Sequence, residues 1–173
     1  PEVKACVSFP VPDVAPPVNV PWDPEHLALY YKVCRDFANW YRTYKADCVE
    51  QQRNLSLVVI LARLEACFKA ANIPSEISGV VNPYMPYTSK ERAAAKRLVA
   101  QVKAGKRPIM FARSPQTVRR IGALLEEEGL NFLHFTGEQS IDSRNAELDA
   151  RVRGDTCVDG MLATLRVSQD GLN

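Results

Sequence analysis

The sequence predicts an α/β protein in which several helices precede a small parallel sheet. Three observations lead to this fold class. Helical periodicity dominates residues 22–106, three short apolar runs follow residue 107, and stretches of helical pattern separate those runs. A strand–helix–strand–helix–strand order at these lengths requires right-handed crossovers, which make the strands parallel. We therefore expect a βαβαβ unit preceded by a helical segment.

Residues 1–21 are predicted to be an extended linker rich in Pro and Val, because each proline fixes its own backbone torsion and restricts its neighbour. Asp23-Pro24 marks the start of a first helix, with Asp23 as the N-cap residue. Leu27, Tyr30, Cys34, Phe37, Tyr41 and Tyr44 give this helix a broad apolar and aromatic face.

Two more helices complete the predicted helical segment, residues 22–106. The second covers about residues 55–71, and its apolar stripe consists of Leu57, Ile60, Leu61, Leu64 and Phe68. The third opens with the capping box Thr88-Ser89-Lys90-Glu91 and runs to Gly105, a residue typical of helix ends.

The strands and their connecting helices lie in residues 107–173. The strands are "PIMFA" (108–112), "NFLHF" (131–135) and "GMLATL" (160–165). The first connecting helix starts at Ser114-Pro115 and continues to Glu128, where Gly129 ends it. The second covers about residues 142–153.

The bulk composition excludes several classes of protein. Among 173 residues there are five cysteines without a Cys-x-x-Cys pair and only two histidines, so neither a metal site nor a disulfide framework is expected. The longest apolar run, "LVVILA", is too short to cross a bilayer. We expect an intracellular protein with reduced thiols and no membrane contact. It would be cytoplasmic or nucleoid-associated in a bacterium or virus, and nuclear in a eukaryote.

Basic residues are concentrated between positions 90 and 120, although the net charge of the chain is only +2. Ten cations lie there, with Glu91 as the one acid: Lys90, Arg92, Lys96, Arg97, Lys103, Lys106, Arg107, Arg113, Arg119 and Arg120. The pattern is consistent with solvated helix faces and with a surface for a polyanion, and composition leaves both interpretations open.

Polar residues follow each predicted strand, at the edge of a parallel sheet where ligands bind. Arg113-Ser114 follows the first strand, Thr136-Gly137 the second, and Thr164 begins the polar end of the third. The first two loops also open a helix, whose free amides attract anions. Ser114 and Thr136 are individually consistent with ordinary caps. Together with Thr164 and Arg144 they predict a phosphate-binding edge.

The stretch "KRPIMFARSPQTVRRIGALLEEEGLNFLHFTGEQSIDSRNAELDARV" resembles the opening of the second motor lobe of Swi/Snf-type superfamily-two helicases. Thr136-Gly137 and Arg144 match the family's "hGxxxxxxR" pattern, and "LATLRVSQDGLN" resembles its motif V. Upstream, "DPEHLALYYKVCRDFANWY" and "ILARLEACFKAANIP" resemble the helices that enter this lobe. The resemblance spans about residues 22–173 and implies a partial RecA-like, three-layer lobe, residues 107–173, incomplete after motif V.

The resemblance implies that the parent protein is an ATP-hydrolysing DNA translocase whose two lobes clasp ATP with Mg, held mainly by the first lobe. In this chain the DNA-backbone residues would be Arg113, Ser114, Thr136, Gly137, Arg144 and Thr164. Arg144 has the alternative of pairing with Glu138 or Asp142. Asp170, Gly171 and Asn173 would face the nucleotide. The implied partners are double-stranded DNA and the first motor lobe, and no catalytic residue or metal ligand is assigned.

Departures from the family pattern limit the expected activity. Ser168-Gln169-Asp170 replaces the usual double glycine, "AGKR" lacks the other residues of a Walker A loop, and no paired arginines follow. We expect a fragment that is inactive alone. The alternative is a non-catalytic, degenerate helicase lobe that binds protein or nucleic acid. An unrelated Rossmann-like enzyme would need a glycine-rich turn after the first strand, where this chain has "RSPQTVRR".

Overall fold

A computed structural model places four α-helices and three parallel strands within the described residues, 14–77, 87–138, 140, 142–143, 145–146, 149 and 158–165. In chain order they are α1 (Pro24–Glu50), α2 (Leu57–Asn72), α3 (Ser89–Lys103), β1 (Ile109–Ala112), α4 (Pro115–Glu127), β2 (Phe132–Phe135) and β3 (Gly160–Thr164). A short 3₁₀ turn, Pro74–Glu76, follows α2. The predicted α/β class, with a parallel sheet and preceding helices, is confirmed.

Helices α1 and α2 pack against each other, and a buried histidine connects the start of α1 with the end of α2. The Nε2 atom of His26 donates a hydrogen bond to the Ala70 carbonyl oxygen at 2.6 Å. Asp23 precedes α1 as predicted, but its side chain does not cap the helix. Its carboxylate instead accepts hydrogen bonds from the Ser89 amide at 2.9 Å and from Arg92 at 2.7 Å, so it ties α1 to the start of α3.

Helix α3 has the caps that its sequence predicts at both ends. The Thr88 hydroxyl accepts from the Glu91 amide, and the Glu91 carboxylate accepts from the Thr88 amide at 2.7 Å. Gly105 adopts a φ of 74°, and the Lys106 amide donates back to the Gln101 carbonyl oxygen at 3.0 Å. This left-handed glycine ends the helix and turns the chain into β1.

The strand order in the sheet is β1-β3-β2, so the last described strand of the chain occupies the centre. Its register pairs Ala112 of β1 with Thr164 of β3, and Phe135 of β2 with Ala163. All three strands point the same way, and their carboxyl ends therefore meet at one edge. This arrangement decides where the loops after the strands lie.

The main core lies between the sheet and the helices α3 and α4. Val118, Leu125 and Leu162 are fully buried there, each removing apolar surface worth about 1.5–3 kcal/mol from water. On the same side of the sheet His134 packs against Gly122 of α4, which has no side chain to displace it. His134 is therefore a packed side chain of the sheet.

Several predicted features differ from the structure or lie beyond the described part. The apolar stripe of α2 is only partly covered, since Leu57, Leu61 and Phe68 are exposed and Ile60 and Leu64 are half-buried. Ala70 is the buried residue of the helix. Residues 1–13 and most of the predicted helix over 142–153 are outside the described residues. Within the described residues, no helix is long and apolar enough to span a membrane.

Candidate nucleic-acid interface

The loops that follow the three strands lie along one edge of the sheet, which we call the strand-end rim. It comprises Arg113, Ser114, Thr136, Gly137 and Thr164. Because β3 is central, the residues of the third loop lie between those of the other two, in the spatial order Ser114, Thr164, Thr136. The parallel pairing thus brings together three loops that are separated in the sequence by complete helices and strands, as the strand pattern predicts.

Ser114 acts as the N-cap of α4. Its hydroxyl oxygen accepts a hydrogen bond from the Gln116 amide at 3.1 Å, and Pro115 occupies the first helical position. The side chain is half-buried, so its hydroxyl is committed to the helix start. The positive end of the α4 dipole is located at the rim beside it.

The two threonines of the rim are buried, at 5% exposure for Thr136 and 3% for Thr164. Each is two residues beyond an inward-facing residue of its strand, His134 or Leu162, and side chains alternate along a strand. Both hydroxyls therefore belong to the side of the sheet that packs on α4. In this conformation the exposed groups of the rim are the Arg113 side chain and the Gly137 backbone.

Arg113 extends from the end of β1 toward α2. Its guanidinium lies 3.5 Å from the Glu65 carboxylate and 4.2 Å from the centre of the Phe68 ring, and both side chains of the ion pair are at least half exposed. An exposed pair of this kind contributes little to stability and dissociates readily. Arg113 is therefore available to exchange Glu65 for another anion.

Glu138, in the loop after β2, is bound to α4. Its carboxylate lies 2.7 Å from the Arg119 guanidinium, which Gln116 also contacts at 2.7 Å. Arg144, for which Glu138 was one possible partner, lies outside the described residues. Asp170, Gly171 and Asn173, the predicted nucleotide-facing residues, also lie outside them.

A buried ion pair stabilises the start of α3 against α4. The Arg120 Nε atom lies 2.6 Å from Oε1 of Glu91, whose other oxygen accepts from the Thr88 amide. The hydrogen bonds that Arg120 donates to the Glu91 carboxylate raise the pKa of Arg120 above its ordinary value. Two of the charges in the 90–120 stretch are thereby used internally, and Arg120 is not available to a ligand.

A cavity of about 620 Å³ adjoins the rim, enclosed by α2, α3, β1 and the start of α4. Its lining includes the apolar side chains of Phe68, Met110 and Ile121 together with Arg113 and Ser114 of the rim. The sequence carries no direct signal for this cavity, because its walls come from elements that are distant along the chain. The sequence feature nearest to this cavity is the apolar stripe predicted for α2, since Phe68 belongs to both.

Within the described part of the chain, no group of three His, Cys, Asp or Glu side chains is placed to hold a metal ion. No protein-family model matches the sequence, and no curated protein matches it either.

Proposed function

We propose that this chain is part of an ATP-dependent DNA translocase of the Swi/Snf type, contributing DNA-backbone contacts and one wall of the ATP cleft. In this proposal the sheet with α3 and α4 is a partial RecA-like lobe. The observation that supports it best is the parallel order β1-β3-β2, because it aligns the ends of three strands as one rim. A motor of this kind works inside the cell, on cytoplasmic, nucleoid or nuclear DNA.

The exposed groups of the rim suit a sequence-independent contact. The Arg113 guanidinium, the Gly137 backbone and the start of α4 present positive charge and N–H donors, which bind phosphates without reading bases. Thr136 and Thr164 would hold the rim in place from within, and would reach a phosphate only after the residues that cover them move. Arg144 would add a second cation if it faces the duplex.

Nucleotide would lie against Asp170, Gly171 and Asn173, with ATP and Mg²⁺ held mainly by the first lobe. Phosphoryl transfer depends on positioning and charge stabilisation from both sides of the cleft. We therefore expect this chain alone to release no phosphate from ATP, with or without duplex DNA. Steady turnover in a phosphate-release assay would contradict the assignment as one half of a cleft.

Duplex binding is the direct test of the rim. Fluorescence anisotropy with two unrelated 20-base-pair duplexes should give equal affinities, and the logarithm of the binding constant should fall linearly with the logarithm of salt concentration. Arg113→Gln should reduce the salt slope by about 0.9, the value for one phosphate contact. Arg42→Gln, which removes an exposed cation on α1, is the matched control and should leave the slope unchanged. Equal behaviour of the two variants would refute the rim as a DNA contact.

The alternative, a non-catalytic helicase lobe that docks a protein, is favoured by one observation. Leu57 and Val58 at the start of α2 are 68% and 76% exposed, and Ile109 and Phe111 on the outer strand β1 are half exposed. The two residues of each pair are close together along their element, and exposed apolar surface is typical of protein interfaces. This function predicts little affinity for duplex DNA at any salt concentration.

A further inference from the structure

Helix α3 and the turn after it carry exposed charge of a single sign. No acid occurs between residues 92 and 107, whereas Lys96, Arg97, Lys103, Lys106 and Arg107 are all exposed. We call these five residues the α3 stripe. Repulsion among like charges destabilises a helix slightly, so the folding of α3 alone does not account for the pattern.

The helix geometry aligns these charges. With 100° per residue, Lys96 and Lys103 lie within about 20° of each other and about 10 Å apart along the axis, and Arg97 lies about 100° around the helix from Lys96. The opposite side of the helix carries the buried Ala95 and Leu98. The turn closed by Gly105 places Lys106 and Arg107 directly beyond the last turn of α3, so the stripe continues past the helix end.

The cations of the stripe differ from their neighbours in their ion pairing. Arg92 is bound to Asp23 and Arg120 to Glu91. No ion pair joins any stripe residue to an acid elsewhere in the described residues, including Glu126 to Glu128 at the end of α4. The helix dipole accounts for cations in the last turn, but not for Lys96 and Arg97 in the middle of the helix.

Helix α1 shows what an ordinary solvated face looks like in this protein. Exposed cations and acids are interspersed along this helix: Lys32, Arg35, Asp36, Arg42, Lys45, Asp47 and Glu50. The exposed charges of the two helices differ in their balance of sign. The α3 stripe is therefore a local excess of positive potential.

We propose that the α3 stripe is a second contact surface for the sugar-phosphate backbone of duplex DNA. Helix α3 ends where β1 begins, so the stripe reaches the amino edge of the sheet, whereas the rim occupies the carboxyl edge. The two surfaces are separate, and the stripe does not depend on the motor assignment. A row of cations about 10 Å apart, or two helical turns, suits a polymer that carries one charge per about 1.7 Å of its axis.

The composition of α3 favours DNA over an anionic membrane. Helices that bind membrane surfaces bury a face of Trp, Phe or Leu in the lipid. The apolar face of α3 is already buried in the core, and its exposed positions hold no large apolar side chain. The stripe can therefore attract a hydrated polyanion but has nothing to insert into a bilayer.

The test compares two variants of the full chain with equal changes of charge. One replaces Lys96, Arg97, Lys103 and Arg107 by Gln, and the control replaces Lys32, Arg35, Arg42 and Lys45 by Gln, so each loses two lysines and two arginines. The probe is a labelled 20-base-pair duplex between 50 and 200 mM KCl. We expect the stripe variant to bind at least 10-fold more weakly at 100 mM KCl, with a salt slope smaller by about 3.6, and the control to stay within 2-fold.

Equal loss of duplex affinity in the two variants would overturn the proposal. So would a stripe variant that keeps its duplex affinity but no longer binds vesicles of phosphatidylcholine and phosphatidylserine mixed 7:3. Circular dichroism checks that each variant is folded, and Lys96→Gln/Lys103→Gln is the milder version, expected to reduce the slope by about 2. If the stripe variant loses duplex affinity and Arg113→Gln does not, the stripe is supported as a DNA contact and the rim is refuted. The reverse result would refute the stripe and support the rim.

Discussion

Replacing Arg120 by Met should destabilise this protein far more than the same change one residue earlier in the chain. Arg119 and Arg120 are neighbours on α4, and each forms an ion pair of nearly equal length, 2.7 Å with Glu138 and 2.6 Å with Glu91. The pairs differ in burial. The Arg119–Glu138 side chains are 53% and 51% exposed, and the Arg120–Glu91 side chains 17% and 3%.

Burial sets the expected magnitude. Removing one partner of a buried ion pair leaves an uncompensated charge and costs about 3–5 kcal/mol. Glu91 would keep its hydrogen bonds to Thr88, at 2.7 and 3.0 Å, so the lower end of that range, about 3 kcal/mol, applies to Arg120→Met. For a chain of this size that corresponds to a fall in Tm of about 6–12 °C. Arg119→Met should cost less than about 1 kcal/mol.

Urea denaturation followed by circular dichroism measures both free energies of unfolding. The double variant Glu91→Gln/Arg120→Met should be more stable than the sum of its single changes predicts, by about 1 kcal/mol or more, because the buried charges disappear together. Equal losses for Arg119→Met and Arg120→Met, or strict additivity in the double variant, would refute the argument from burial.

Three other changes test separate parts of the fold. Gly129→Ala should cost about 1 kcal/mol in urea denaturation, because its φ of 74° strains an L-residue although the space around it is open. Gly122→Ala should cost about 1–3 kcal/mol, because the new methyl group meets the His134 ring, and His134→Ala should recover part of that loss. Burial and the neighbouring Cys34 raise the pKa of Cys67 from 9.0 to about 11, so the stability that its thiol contributes is present below pH 9 and is lost as pH rises toward 11. At pH 8 peptide mass spectrometry should find its alkylation about 100-fold slower than that of an ordinary thiol, and equal rates would contradict this placement.

The local signals in the sequence located most of the described elements. Thr88 and Glu91 predict the start of α3, and Gly129 predicts the end of α4, because caps depend on residues within one helical turn. The lengths of the connections between the strands predicted that the sheet is parallel. The order of its strands did not, because an alternating pattern does not say which strand is central.

The position of the rim could be predicted from the sequence, but the burial of its side chains could not. Its residues share one edge, since parallel strands require it, but the burial of Thr136 and Thr164 depends on how closely the sheet packs on α4. Side-chain contacts between residues distant in the sequence could not be predicted either. Asp23 has the residue type and position of a cap, yet its carboxylate binds Ser89 and Arg92 at the start of α3, with α1 and α2 between them in the chain.

The central position of β3 has a consequence for how the chain acquires its shape during synthesis. β1 and β2 do not touch each other, and the strand that joins them follows only after α4, β2 and a further connection. At about 5–20 residues per second, a ribosome would expose β1 for several seconds before its only described neighbour emerges. A nascent chain halted between α4 and β3 should therefore be readily cleaved by protease, and protection should appear in one step once Thr164 has cleared the exit tunnel.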